Sequence, residues 1–477
     1  MQYRHIIGVD EYPPGMQAFL DHLGVLHEKA TGNLHRYSLR VISGTYTASE
    51  ITDYLARGGI VIDCTGHLYG AFTGEKISTS FVTSRSMETE VNSVEQIDFF
   101  HFLRYAGSSF SPRIHSGGGI LAFWGIPFHL FLSTRSFYKA FFFREDPLPN
   151  EEVSFVSKGQ IARLFLFFLR TLTIEAGRPL IQKSPYPNHT PPLLFRMDTD
   201  YASQKDIESW QACARDIRTT WFVHTQAQKN ILPLFRKNPG DAVEFHCRFH
   251  RARPVIHDMQ HGLKTLHDAG FTPRGYAAPY GIYSWKRNRF LQRQGICFGS
   301  DFSFLYDSLP AVFDDDLIQI PVHPVCMGSF LSYKADPHTI YNYFVFRITL
   351  HLSLGLPVSL YNHPGSGLDH LQKEIIHYAL KCGARSTTYG EYCDFLMQRH
   401  RADVTIYSDR IKNPSRIPLR IFWGNRKYDT FGDGETVFSS KKKALPIENT
   451  PVQEHLLRRI SPRQIKNMML TKFFWRN

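Results

Sequence analysis

Between Leu193 and Arg401 the chain repeats one pattern, a short apolar run followed by a longer stretch with helical spacing. "LLFRMDTD", "TTWFVHT", "AVEFHC", "ICFGSD", "LIQIPV" and "PVSLYNH" read as strands, and segments such as "RPVIHDMQHGLKTLHDAG" between them read as amphipathic helices. Some two hundred residues of that rhythm suit a (β/α) barrel, which keeps its chemistry at the carboxyl ends of its strands. Two carboxylates, Asp198 and Asp200, stand where "FRMDTD" leaves its strand. The alternative use of this stretch is as a helix cap, with Asp200 or Ser203 opening a helix from about Gln204.

The regions on either side differ. Residues 1–150 mix strand-like "YSLRVISG" and "GGIVIDCTG" with a capped helix, "TASEITDYLARG", and a glycine-led apolar run, "SGGGILAFWGIPFHLFL". That mixture predicts an α/β layer domain. Its layout resembles glutamine-amidotransferase-like domains, but the family's nucleophile elbow wants glycines flanking its cysteine. Cys64, near His67, has only Gly66 close by, so no nucleophile is evident. Residues 151–190 read as a helix and a proline-rich linker, "KSPYPNHTPPLLF" marking the boundary. The barrel is expected over 191–401, and a small β module with a basic C-terminal tail over 402–477.

Composition narrows the class. With 43% apolar and 21% charged residues the 477-residue chain is globular. The seven cysteines are dispersed and never in C-x-x-C pairs, which argues against a disulfide framework or a zinc finger. Neither a secretory leader nor a spanning segment is evident, so the expected location is cytoplasmic, with peripheral contact at the inner membrane face left open. The net charge of +12 permits an anionic partner. No Lys/Arg–aromatic signature accompanies it, so nucleic acid is not expected. The tail from about Pro446 is either a basic amphipathic helix for an anionic membrane or a solvated helix on its own domain.

In "EFHCRFH", His246 and His250 stand four apart, a spacing that on a helical turn puts both imidazoles on one face. The pair alone is a weak signal among 23 histidines, and "HDMQH" repeats its spacing in an ordinary helix. Order sharpens it. "RMDTD", "HCRFH", "AAPYG", "FGSDFS" and "LYNHP", in that sequence, resemble the polysaccharide deacetylase (NodB-homology, carbohydrate esterase family four) proteins.

The resemblance implies a distorted barrel of the deacetylase type. It implies a metal held by Asp200, His246 and His250, with Asp198 as general base, His363 as general acid, and the backbone N–H of Tyr280 as oxyanion donor. The ion is divalent, zinc first, with cobalt, nickel, manganese or iron as alternatives. The implied activity is hydrolysis of an N-acyl group, acetyl foremost, from an amino sugar of a glycan or glycan precursor. The sequence departs from the pattern twice. "MDTD" separates its aspartates by one residue, and the arginine that normally holds the base is replaced by Ala277, with Arg274 near but out of register. The second departure keeps open a non-catalytic glycan-binding or polysaccharide-assembly protein, and hydrolysis of a small amide is a third reading.

Overall fold

The computed structural model describes residues 4–30, 36–42, 46–73, 113–139, 151–313, 317–406, 410–424 and 426–430. It also describes short strands at 79–83, 101–105, 142–143, 146–147, 434–437 and 445–446. The basic tail beyond Pro446 lies outside the described residues.

The N-terminal region is an α/β layer. Its six-stranded sheet has Arg4–Val9, Tyr37–Ile42, Ile60–Asp63 and Gly119–Phe123 as neighbours in parallel, flanked by parallel His27–Lys29 at one edge and antiparallel Arg113–Ser116 at the other. The central strands are buried on both faces and largely apolar, as parallel sheets require, with Ser38, Arg40 and Asp63 the buried polar exceptions. Thr47 caps the helix Ala48–Ala56 through a reciprocal box with Glu50, which explains why "TASE" starts it. Cys64 follows the strand Ile60–Asp63, and burial together with the Asp63 carboxylate pushes its thiol pKa up, the reverse of an activated nucleophile.

The barrel region is built on a nine-stranded sheet. From one edge the order is Ala311–Phe313, Leu317–Gln319, Phe298–Gly299, Gly275–Tyr276, Ala242–Cys247, Thr220–His224, Pro192–Asp198 and Val358–Asn362, with Arg385–Thr387 also pairing the start of Pro192–Asp198. All pairings are parallel except the first. The sheet curls, and the His323 N–H donates to the Ser359 carbonyl at 3.0 Å, so the segment leaving one edge touches the strand at the other. The result is an incomplete barrel. Its strands are shorter than the apolar runs suggested: "ICFGSD" contributes only Phe298–Gly299.

The segment 151–190 joins everything together. Its strand Glu151–Ser154 pairs with Ser136–Lys139. Its helix Lys158–Glu175 buries Phe165, Phe168 and Leu172 in a core shared with the N-terminal sheet and with Phe304 and Phe313 of the barrel region. Its strand Pro179–Lys183 pairs antiparallel with Leu419–Trp423, whose sheet continues through Arg426–Thr430 to Leu445–Pro446. Among the described residues no helix is long and apolar enough to cross a membrane.

Candidate metal centre

Pro192–Asp198 is the strand on which the site is assembled. All seven residues are buried, with parallel neighbours on both sides, so its carboxyl end opens at the mouth of the curled sheet. Asp198 is its last residue and only 4% exposed. Asp200 follows one residue beyond Thr199, which is pinned by its N–H to the Phe222 carbonyl at 3.0 Å and by its Oγ1 accepting the His224 N–H at 2.9 Å. The backbone of Asp200 is left-handed, with φ 37°, a conformation non-glycine residues rarely adopt and one that clusters at functional sites. The cap is made by Ser203, in a reciprocal box with Asp206, leaving both carboxylates of "DTD" for the mouth.

His246 comes from the strand Ala242–Cys247, and His250 from the bend after it. The four-residue spacing therefore works across a strand end and not along a helix, yet the rings stand 5.3 Å apart, centroid to centroid. Asp200 Oδ1 lies 3.2 Å from His246 Nε2 and 3.4 Å from His250 Nε2. One donor atom from each of the three residues lies within 4.8 Å of the others. "HDMQH" shows the same spacing put to no such use, because His257 and His261 lie on the helix Ile256–Asp268 and have no place in the cluster.

The atoms of this cluster fit a cation. His246 Nδ1 sits 2.7 Å from the Ala277 carbonyl, which can only accept, so Nδ1 carries a proton and Nε2 is the ring atom turned toward Asp200 and His250. Asp200 Oδ1 and His246 Nε2 are buried without a hydrogen-bond partner, an arrangement that costs stability unless something else satisfies them. Burial would raise the Asp200 pKa, but His246, His363 and His250 around it outweigh that and hold the carboxyl well below its ordinary range. Burial draws His250 down, favouring the neutral, ligating ring. Two imidazoles and one carboxylate are a donor set that a divalent cation could take.

Asp198 stays apart from the imidazoles. Its Oδ2 accepts from Arg196 at 3.0 Å, and the same guanidinium donates to the Ser300 carbonyl at 2.7 Å. Arg196 is 1% exposed and lies against the rings of Phe222 and Tyr361. A cation therefore holds Asp198 although position 277 is alanine. It comes from two residues earlier on the same strand, and the signal was the period-two alternation inside "FRMD" itself. Arg274 is engaged elsewhere, paired to Asp394 at 2.5 Å.

The remaining candidates converge. His363, just past the strand Val358–Asn362, places Nε2 3.3 Å from Asp200 Oδ2. Tyr280 lies in the turn Pro279–Gly281 with φ 58°, its ring 4.8 Å from that of His250 and 55% exposed. Gly281 also has positive φ, and a Cβ there would strike Phe302 at 2.4 Å, so the turn needs glycine. Asp301 of "FGSDFS" anchors this loop by accepting the Ala278 N–H at 2.9 Å, and burial raises its carboxyl to about 6.

No family model matches the sequence, and no curated protein matches it. Several solved structures are similar. A putative polysaccharide deacetylase from Mycobacterium smegmatis shares 16% identity at a TM-score of 0.38, over 44% of this chain and 92% of that one. A family 4 carbohydrate esterase from Streptomyces lividans in complex with acetate shares 16% identity at a TM-score of 0.30, over 42% and 93%. A CE4 family pseudoenzyme from Bacillus anthracis shares 13% identity at a TM-score of 0.33, over 44% and 67%. These likenesses are to proteins with and without activity, and the functional reading below is drawn from this chain's own side chains.

Proposed function

We propose that the protein is a metal-dependent hydrolase that removes an N-acyl group, acetyl foremost, from an amino sugar of a glycan or glycan precursor. The observation that carries the reading is the cluster of Asp200, His246 and His250 with unpartnered buried donor atoms, beside a second carboxylate kept off it by Arg196.

Asp200, His246 and His250 would hold the ion, zinc by preference. When bound, the ion polarises the substrate carbonyl and acidifies a water. Asp198 accepts the water's proton, its carboxylate oriented by Arg196 and its Oδ1 left without a protein partner. His363 stands on the Oδ2 side of Asp200 and donates a proton to the departing amine. The Tyr280 N–H, in the turn whose ring lies beside His250, would be the donor to the oxygen on which negative charge develops.

The test is to load the full chain with zinc, follow acetate release from N-acetylated sugars with and without chelator, and measure bound metal. Activity that survives chelation, or that is unchanged in His246→Ala, overturns the assignment. Sugar binding without turnover, persisting in Asp198→Asn, points instead to a binding protein on the same barrel.

A further inference from the structure

His363 is exposed over 37% of its side chain, so packing alone does not hold the ring that would act as the acid. Its Nε2 faces Asp200, while Nδ1 on the other edge of the ring faces the buried Sγ of Cys326 at 3.9 Å. Cys326 also meets Ser329 Oγ at 3.4 Å. A sulfur contact of that length is a weak restraint, and a second group stands behind it. The carboxyl of Glu151 interacts electrostatically with both Cys326 and His363, and Tyr361, two residues before His363, experiences both Cys326 and Glu151.

Glu151 comes from outside the barrel, on the strand paired with Ser136–Lys139. The strand is docked firmly onto the barrel. The Ser154 N–H donates to the Phe302 carbonyl at 3.4 Å, and Val153, 0% exposed, belongs to the same core as Phe302, Cys326 and Tyr361. Alternation along a strand puts Glu151 on the Val153 side. Glu152 faces the other way, its Oε1 accepting from Ser136 Oγ at 2.6 Å. Of the two carboxyls on this strand, Glu151 is thus the one on the face that enters the core shared with Cys326 and Tyr361.

We propose that Cys326 and Glu151 are positioning residues for His363, the thiol sulfur receiving the Nδ1–H and the Glu151 carboxyl backing that pair, so that Nε2 is aimed at the departing amine. Burial and Cys326 together raise Glu151 to about 8, with His363 pulling the other way. Burial alone would raise the Cys326 thiol, but His363 and Ser329 bring it below its ordinary value. A ring held by a third group is the usual arrangement for proton transfer in enzymes. The inference rests on the reading of His363 as leaving-group acid, and it assigns the segment ahead of the barrel a part in the site.

Leaving-group dependence tests it. An amine must be protonated to depart, whereas p-nitrophenolate leaves without help. In the zinc-loaded chain, Glu151→Gln and Cys326→Ala should each lower kcat on an N-acetylated sugar by about tenfold, with KM little changed. The loss on p-nitrophenyl acetate should be much smaller, metal content and Tm should hold, and Glu151→Gln should add no further loss in a His363→Ala background. Equal losses on both substrates, or additivity with His363→Ala, would overturn the proposal. Histidine ¹⁵N NMR supplies a readout that needs no turnover. The ring signal that disappears in His363→Ala should show a protected Nδ1 proton that exchanges fast in both variants. If that signal is identical in wild type and both variants, the positioning role is wrong whatever the activity. If it changes as expected in a protein that releases no acetate, the positioning stands and the hydrolase reading falls.

Discussion

Two clusters of buried polar groups, one at the seam with the N-terminal sheet and one at the barrel mouth, end their hydrogen bonds differently. At the seam between the N-terminal sheet and the barrel, Lys158 donates to the carbonyls of Ser133 and Phe304 at 2.8 and 2.6 Å and to Ser154 Oγ at 3.3 Å. Beside it, His22 is held between the Pro310 carbonyl at 3.1 Å and Ser308 Oγ at 2.9 Å. At the barrel mouth, Asp200 Oδ1, His246 Nε2 and Asp198 Oδ1 are buried and have no such partner. Both clusters carry charged residues away from water, so burial does not separate them. Satisfaction does: the seam is closed within the protein and stabilises the fold, while the mouth is left open for something the chain does not supply.

The contrast should separate metal binding from stability. The largest effect is expected from Asp200→Ala and His246→Ala, which should lose stoichiometric zinc and about a thousandfold or more of any activity. The wild type should gain about 2.7 kcal/mol of stability at zinc a hundredfold above its dissociation constant, and the Asp200→Ala variant none, in urea titrations with and without the ion. Next comes Lys158→Ala, which strands two carbonyls and opens a cavity. It should cost about 2–4 kcal/mol by the same titration while leaving zinc stoichiometry intact. If zinc were lost with Lys158, the two clusters would be one unit and the distinction would fail.

Arg196→Lys lies between the two. The single ammonium cannot span Asp198 and the Ser300 carbonyl as the guanidinium fork does, so kcat should drop by about tenfold to a hundredfold with metal retained. Calorimetric zinc binding alongside steady-state rates reads both quantities.

The smallest effect is a pH dependence at the seam. Burial lowers His22 to about 3, and the nearby Arg399 and Lys158 charges act in the same direction against the Pro310 carbonyl. Between that value and the ordinary histidine range the unfolded chain binds a proton that the folded protein does not, so stability falls as pH falls through this window. At about pH 5.5 the loss should be about 1.4 kcal/mol, and His22→Gln should flatten the slope.

Much of the site was legible in the sequence. The order of "RMDTD", "HCRFH", "AAPYG" and "LYNHP" named six residues that the structure brings to one mouth, because parallel strands all deliver their carboxyl ends to the same side. Arg196 was also there to be read, since strand alternation put it on the face of Asp198. What local pattern could not show was any partner arriving from a distance. Glu151 enters the core behind Cys326 from more than two hundred positions before His363, through a strand that has no motif of its own, and Cys326 sits in a loop that no periodicity marks. Likewise the proline-rich stretch reads as a boundary because proline restricts its neighbours. Only the folded chain shows Pro179–Lys183 just before it as a strand of the C-terminal sheet. Spacing along the chain decided which side chains share a face. Packing between segments decided which of those faces meet, because that choice depends on burying apolar surface that no single segment can cover by itself.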